Sequence, residues 1–165
     1  MKRHGSYERT EPPGARVPRW YCPLGHATFS QLPDCLAAKL PGSLGEVEQV
    51  LRAVEQAPSI EMAADKLRPD ILLPGRLRWV RRRTQSVRAA LAALILLCPA
   101  PLGGCEPTLS SVGGRLQSEQ VLATLRSLGQ AQLPTLAPPL GFGSREPAGR
   151  WRQHDSGARA PPGKG

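Results

Sequence analysis

Residues 74–97 read PGRLRWVRRRTQSVRAALAALILL, with six arginines and no acid. Leu77, Val80, Thr84, Val87, Leu91, Leu94 and Cys98 recur at alternating steps of three and four. That spacing is the apolar seam of an amphipathic helix. Pro74 suits the first helical turn, where its missing N–H has no partner to lose. Pro99 and Pro101 stop the run. One helix of roughly 36 Å follows from about 1.5 Å of rise per residue. At about 100° per residue, Arg78, Arg82 and Gln85 lie opposite the seam, Arg81 and Arg88 on its flank, and Arg76 and Arg83 nearer its other edge. From Ala89 the helix is apolar nearly all round, which predicts a buried anchor.

Two shorter helices precede it. Ser43 is a suitable N-cap, and Val47, Val50, Leu51 and Val54 follow at helical spacing, with Glu46, Glu48 and Glu55 expected outside. Pro58 ends this helix and Ser59 caps the next, whose apolar face is Ile60, Ala63, Ala64 and Leu67. CPAPLGGC (98–105) reads as a loop, and a last helix is expected from Val112 or Leu116 to Leu128. From Gly129 onward Pro, Gly, Arg and Ser dominate, and disorder is expected over 129–165.

At the other end, residues 5–10, 16–22 and 27–30 read as three short strands, with turn residues in Glu11–Ala15. Pro18 belongs at an edge or a bulge. Cys22 and His26 flank the second turn. Thiolate and imidazole at that spacing can both reach one Zn²⁺, but a structural site needs four ligands. Two readings stay open: a zinc-ribbon-like hairpin lacking half its ligands, or a metal-free hairpin. Gln31–Gly42 reads as a linker. The expected fold class is mainly α with a small N-terminal β element: a degenerate ribbon-like hairpin at 1–33 and a helix-turn-helix-like domain at 43–128, ahead of the tail.

The net charge of the 165 residues is +9. It is +3 over 1–45, −3 over 46–70, +6 over 71–97 and +3 over 98–165. A positive field concentrated on one helix points to a polyanion, nucleic acid first. Arg76, Arg78, Arg81, Arg82, Arg83, Gln85 and Arg88 are the candidate nucleic-acid-binding residues. No phosphate-cradling Gly loop, HExxH or GxSxG is present, and no His has an evident Asp or Ser partner, so a non-enzymatic role is expected. The longest apolar run, Ala89–Cys98, is about half of what a bilayer needs. The N-terminus has no apolar segment behind its basic residues. A soluble, cytoplasmic, bacterial-type protein is therefore expected, and four irregularly spaced cysteines suggest no disulfide framework there.

The run HGSYERTEPPGARVPRWYCPLGHATFSQLPDCL, and SIEMAADKLRPDILLPGRLRWVRRR after it, resemble a bacterial family of short proteins of unassigned function. That family is associated with insertion sequences and related to the zinc-ribbon and helix-turn-helix front end of transposases. The shared features are His4-Gly5, Tyr7, Arg9, Arg19 before Cys22, Thr28-Phe29-Ser30, Leu32-Pro33-Asp34 and Arg78-Trp79. The family pattern has a CxxC before the His-Gly, for which Met1 leaves no room, and a second CxxC where Cys22 and His26 stand. Either the start lies further upstream or the ribbon has lost its metal. The resemblance implies a DNA-recognition module without strand-transfer activity. Two alternatives are a homodimer paired through the Leu77–Cys98 seam and a mobile-element remnant without function.

Overall fold

The computed structural model describes residues 1–143; residues 144–165, most of the expected tail, lie outside the described part. The fold is mainly helical with a small N-terminal sheet. Strands β1 (Lys2–Glu8), β2 (Arg16–Cys22) and β3 (Ala27–Ser30) form an antiparallel sheet in the order β1-β2-β3. Helices α1 (Leu44–Gln56), α2 (Ile60–Leu67), α3 (Leu73–Leu97), α4 (Pro99–Leu102), α5 (Leu109–Leu116) and α6 (Val121–Leu128) follow, then a 3-10 turn over Gln130–Gln132.

β1 begins and ends earlier than expected. Arg9 leaves the strand because its N–H closes the turn onto Ala15 O and its guanidinium donates to the carbonyls of Ala37, at 2.9 Å, and Leu40. Pro18 sits in the central strand opposite Ser6, next to a register shift between Arg3 and Ser6 where Gly5 takes φ +83°. The bulge accommodates a residue that has no N–H for the ladder. Of the strand residues only Val17 is buried, so this sheet has almost no core of its own.

The helical part is built on its caps and its seam. Ser43 and Glu46 form a reciprocal capping box on α1, and Ser59 Oγ accepts from Met62 N–H at 3.2 Å on α2. Val80, Thr84, Val87, Ala90, Leu91 and Leu94 form the buried side of α3. Val87, Ala90, Leu91 and Leu94 meet Val47 and Leu51 of α1 and Leu122 and Leu125 of α6 in the main core, while Val80 joins Val50 and Ala64 in a second small cluster beneath α2. This seam, the pairing surface in the homodimer alternative, is packed by the chain's own helices. Leu91, 1 % exposed, sits at the middle of it. Leu91→Ala is expected to lower the unfolding free energy by about 2–5 kcal/mol, read as an earlier urea midpoint at unchanged slope; a midpoint shift equivalent to less than about 1 kcal/mol would show a loosely packed core.

Five expectations change. Residues 31–42 are no mere linker: Leu36, Ala37, Ala38 and Leu40 are buried. The 98–105 loop contains α4, whose Leu102 is fully buried. The single last helix is two, because Gln117 turns left-handed at φ +51° and ends α5 before Val121 starts α6. Residues 129–143 fold back onto the bundle, with Leu136 and Leu140 in the main core. The apolar end of α3 is also not buried all round: Leu96 is 81 % exposed, since only one side of α3 has helices to pack against.

Candidate nucleic-acid interface

α3 presents Arg78, Arg81, Arg82, Gln85 and Arg88 to solvent, all exposed. They step by three, one, three and three along the helix and so share one face. Pro74, Leu77, Arg78, Arg81, Arg82 and Gln85 line a shallow concavity on that face. Arg81 lies 3.7 Å from Glu61 of α2, with both side chains about half exposed; such a pair contributes little in water. Among the described residues Arg78, Arg82 and Arg88 have no carboxylate within ion-pair distance. From Arg78 to Arg88 the face extends about 15 Å along the axis.

Arg76 and Arg83 do not belong to this face. Arg76 is drawn to Asp65 of α2 at 3.0 Å. Arg83 is buried and stacks on Trp79, its guanidinium carbon 3.9 Å from the ring centroid, and Arg68 approaches the same indole at 5.2 Å. Burial lowers the pKa of Arg83, and nearby Glu11 counters that. The cause is geometric. α2 and the five-residue connection 68–72 cover the flank of α3 on which 76 and 83 lie one heptad apart. That connection is longer than a usual helix-turn-helix turn, and it is braced by Arg68 on Asp70, at 3.0 and 3.1 Å. The Asp70 carboxyl beside Arg68 is held below its ordinary pKa. The five outward residues thus remain as the candidate surface.

The acids of α1 were expected in water, yet two of them hold other helices. Glu48 is buried, accepts Leu122 N–H at the start of α6 at 2.9 Å, and pairs with Arg52 at 2.6 Å. Glu55 accepts the N–H groups of Leu109 and Ser110 at the start of α5, at 2.7 and 3.0 Å. Each carboxylate satisfies donors that a helix N-terminus leaves open and meets the positive end of its dipole. The spacing of seven between them puts both on one side of α1, a pattern visible in the sequence once the two short helices are known. A concavity of about 660 Å³ runs along this side, but Glu48 and Arg52 in its wall are already engaged.

Cys22 ends β2, half-buried, and His26 occupies the exposed turn before β3 at φ +48°. His26 Nδ1 lies 3.2 Å from the Tyr21 hydroxyl. Among the described residues no three His, Cys, Asp or Glu side chains come together. Cys22 and His26 supply two of the four ligands that a structural zinc takes. Cys35, Cys98 and Cys105 are free thiols elsewhere. No helix of the described residues is long and apolar enough to cross a membrane. Comparison with models of known families, with characterised proteins and with solved structures finds no match.

Proposed function

We propose that this chain is a non-enzymatic DNA-binding module of the cytoplasm whose α3 lies against duplex DNA through Arg78, Arg81, Arg82, Gln85 and Arg88. The observation that carries the reading is the one-sided exposure of four arginines and one glutamine on a helix that the rest of the chain packs from behind. Arginine forks suit phosphate oxygens and guanine edges, and Gln85 adds a group able to address adenine. Of the acids nearest in sequence, Asp70 and Asp65 are held by Arg68 and Arg76 off this face, and only Glu61 approaches it, 3.7 Å from Arg81. The resemblance of residues 4–90 to the front end of transposases supports the same role, that of recognition without strand transfer.

The test is duplex binding across a salt series with the triple variant Arg78→Ala, Arg82→Ala, Arg88→Ala. Three fewer phosphate contacts should lower the slope of log K against log salt by about 2.7, at about 0.9 per contact. Helicity should persist, since none of the three is buried. Absence of duplex binding by the native chain at low salt, or an unchanged slope in the variant, refutes the reading.

A further inference from the structure

One face of the β-sheet is basic and plays no part in the α3 reading. Strand register fixes which side chains share it. Lys2 pairs with Tyr21, Tyr21 with Thr28, and Arg19 with Ser30. Positions 19 and 21 point the same way, because side chains alternate along a strand, and directly paired residues share a face. Two imidazoles flank Tyr21. The His4 ring lies 6.0 Å from the Tyr21 ring, centroid to centroid, and His26 Nδ1 lies 3.2 Å from the phenol oxygen. Residues 1–30 hold two acids, and both stay off this face. Glu8 pairs with Arg16 on the opposite face, and Glu11 lies in the turn between β1 and β2. Among the described residues Lys2 and Arg19 have no carboxylate within ion-pair distance. The face is carried rigidly, because Val17 is buried and Arg9 donates to the carbonyls of Ala37 and Leu40.

We infer that the Lys2–Arg19–Tyr21 face is a second contact on the backbone of duplex DNA, resting on the duplex reading of α3 and adding to it. Charge selects the occupant. The face offers two cations, hydroxyls and ring nitrogens but no carboxylate, so it suits a ligand made of acceptors. Phosphate oxygens only accept, whereas an acidic peptide also brings N–H donors, which find no carboxylate here. An anionic bilayer would take large apolar side chains as well, but Trp20 and Phe29 lie on the opposite face. Lysine, arginine and the hydroxyls of Tyr, Ser and Thr are the usual partners of DNA phosphates. Strands about 4.8 Å apart make the face about 10 Å across. One strand of the duplex carries a charge per about 3.4 Å of axis, so about three phosphates fit that width. Contacts of this kind position the protein and read no base.

Binding of the full chain to a labelled duplex is followed from about 50 to 200 mM salt. Lys2→Ala with Arg19→Ala removes two contacts and should lower the slope of log K against log salt by about 1.8, at about 0.9 per contact. Arg3→Ala with Arg16→Ala removes the same charge from the opposite face and should change the slope by less than about 0.45, half a contact. Lys2→Glu alone, at an exposed position, should lower the slope by at least about 0.9, and does not depend on the half-buried Arg19. Equal slopes in the two double variants would show a general field instead of a contact face and overturn the assignment. So would a slope that Lys2→Glu leaves unchanged. Loss of slope in the triple α3 variant but in neither sheet variant refutes the sheet contact alone, whereas a native chain that binds no duplex at low salt refutes both readings. Binding to phosphatidylserine vesicles that the Lys2, Arg19 double variant loses, at an unchanged duplex slope, would put a lipid surface on this face instead and overturn the assignment.

Discussion

Arg126→Met is expected to cost about 3–5 kcal/mol, a large part of the roughly 5–15 kcal/mol that holds a domain folded. Arg126 is 3 % exposed and faces no carboxylate within ion-pair distance among the described residues. Its guanidinium donates instead to four backbone carbonyls: Asp34 at 2.7 Å, Leu36 at 2.6 Å, Pro139 at 2.7 Å and Leu140 at 3.0 Å. Burial lowers its pKa, and Asp34 partly restores it. Two segments without helix or strand, 34–36 and 139–140, are thereby fastened to α6. Methionine would fill part of the space but donate nothing, leaving carbonyls buried without partners at about 1–3 kcal/mol each. Arg126→Lys, with one compact ammonium, should recover only part of the loss. Urea unfolding measures both variants. A loss under about 1 kcal/mol in the methionine variant would mean that water reaches these carbonyls, and the fastening role would fail.

Glu48→Ala is the second large effect, at about 2–3 kcal/mol. It removes the acceptor of Leu122 N–H and leaves Arg52 with only Glu119 O, at 2.7 Å. Glu48→Gln keeps an acceptor and should cost about half as much, because hydrogen bonds to charged groups are the stronger ones. The local signature is faster amide exchange at Leu122 and its neighbours in α6, detected by NMR. Equal exchange in the native and Ala forms would show that α6 keeps its start without α1, which contradicts the capping role.

Much of the fold was legible because it rests on local chemistry. Ser43 and Ser59 announce their helices by hydroxyls that the backbone needs, and Pro58 and Pro99 end theirs. β2 and β3 follow their predicted ranges. What periodicity could not supply was the partner of each flank. It distinguishes the seam of α3 from its back, yet the two sides next to the seam look alike until α2 is placed on one of them. Arg83 therefore joined the candidate surface although it is buried and stacked on Trp79. For the same reason Glu48 read as solvated: its partner, the N–H of Leu122, is 74 residues away. Residues 129–143 looked featureless because Pro and Gly hide the two leucines, 136 and 140, that reach the core. The β1 boundary moved because Arg9 bonds carbonyls 28 and 31 residues on.

The two glutamates of α1 have a bearing on how this chain can be divided. α5 and α6 have eight residues each, too few to persist alone in water. Glu55 and Glu48 supply part of what their N-termini need, from the far side of the 98–105 loop. That loop, with its prolines and paired glycines, has the look of a boundary, and a cut there would seem harmless. It would in fact separate both short helices from their caps and open the core around Leu91. A fragment ending at residue 98 should expose Leu94 and Leu91 and aggregate, while the complementary peptide should be unstructured. Mixed, the two should regain helicity together, behaving as halves of a single cooperative unit.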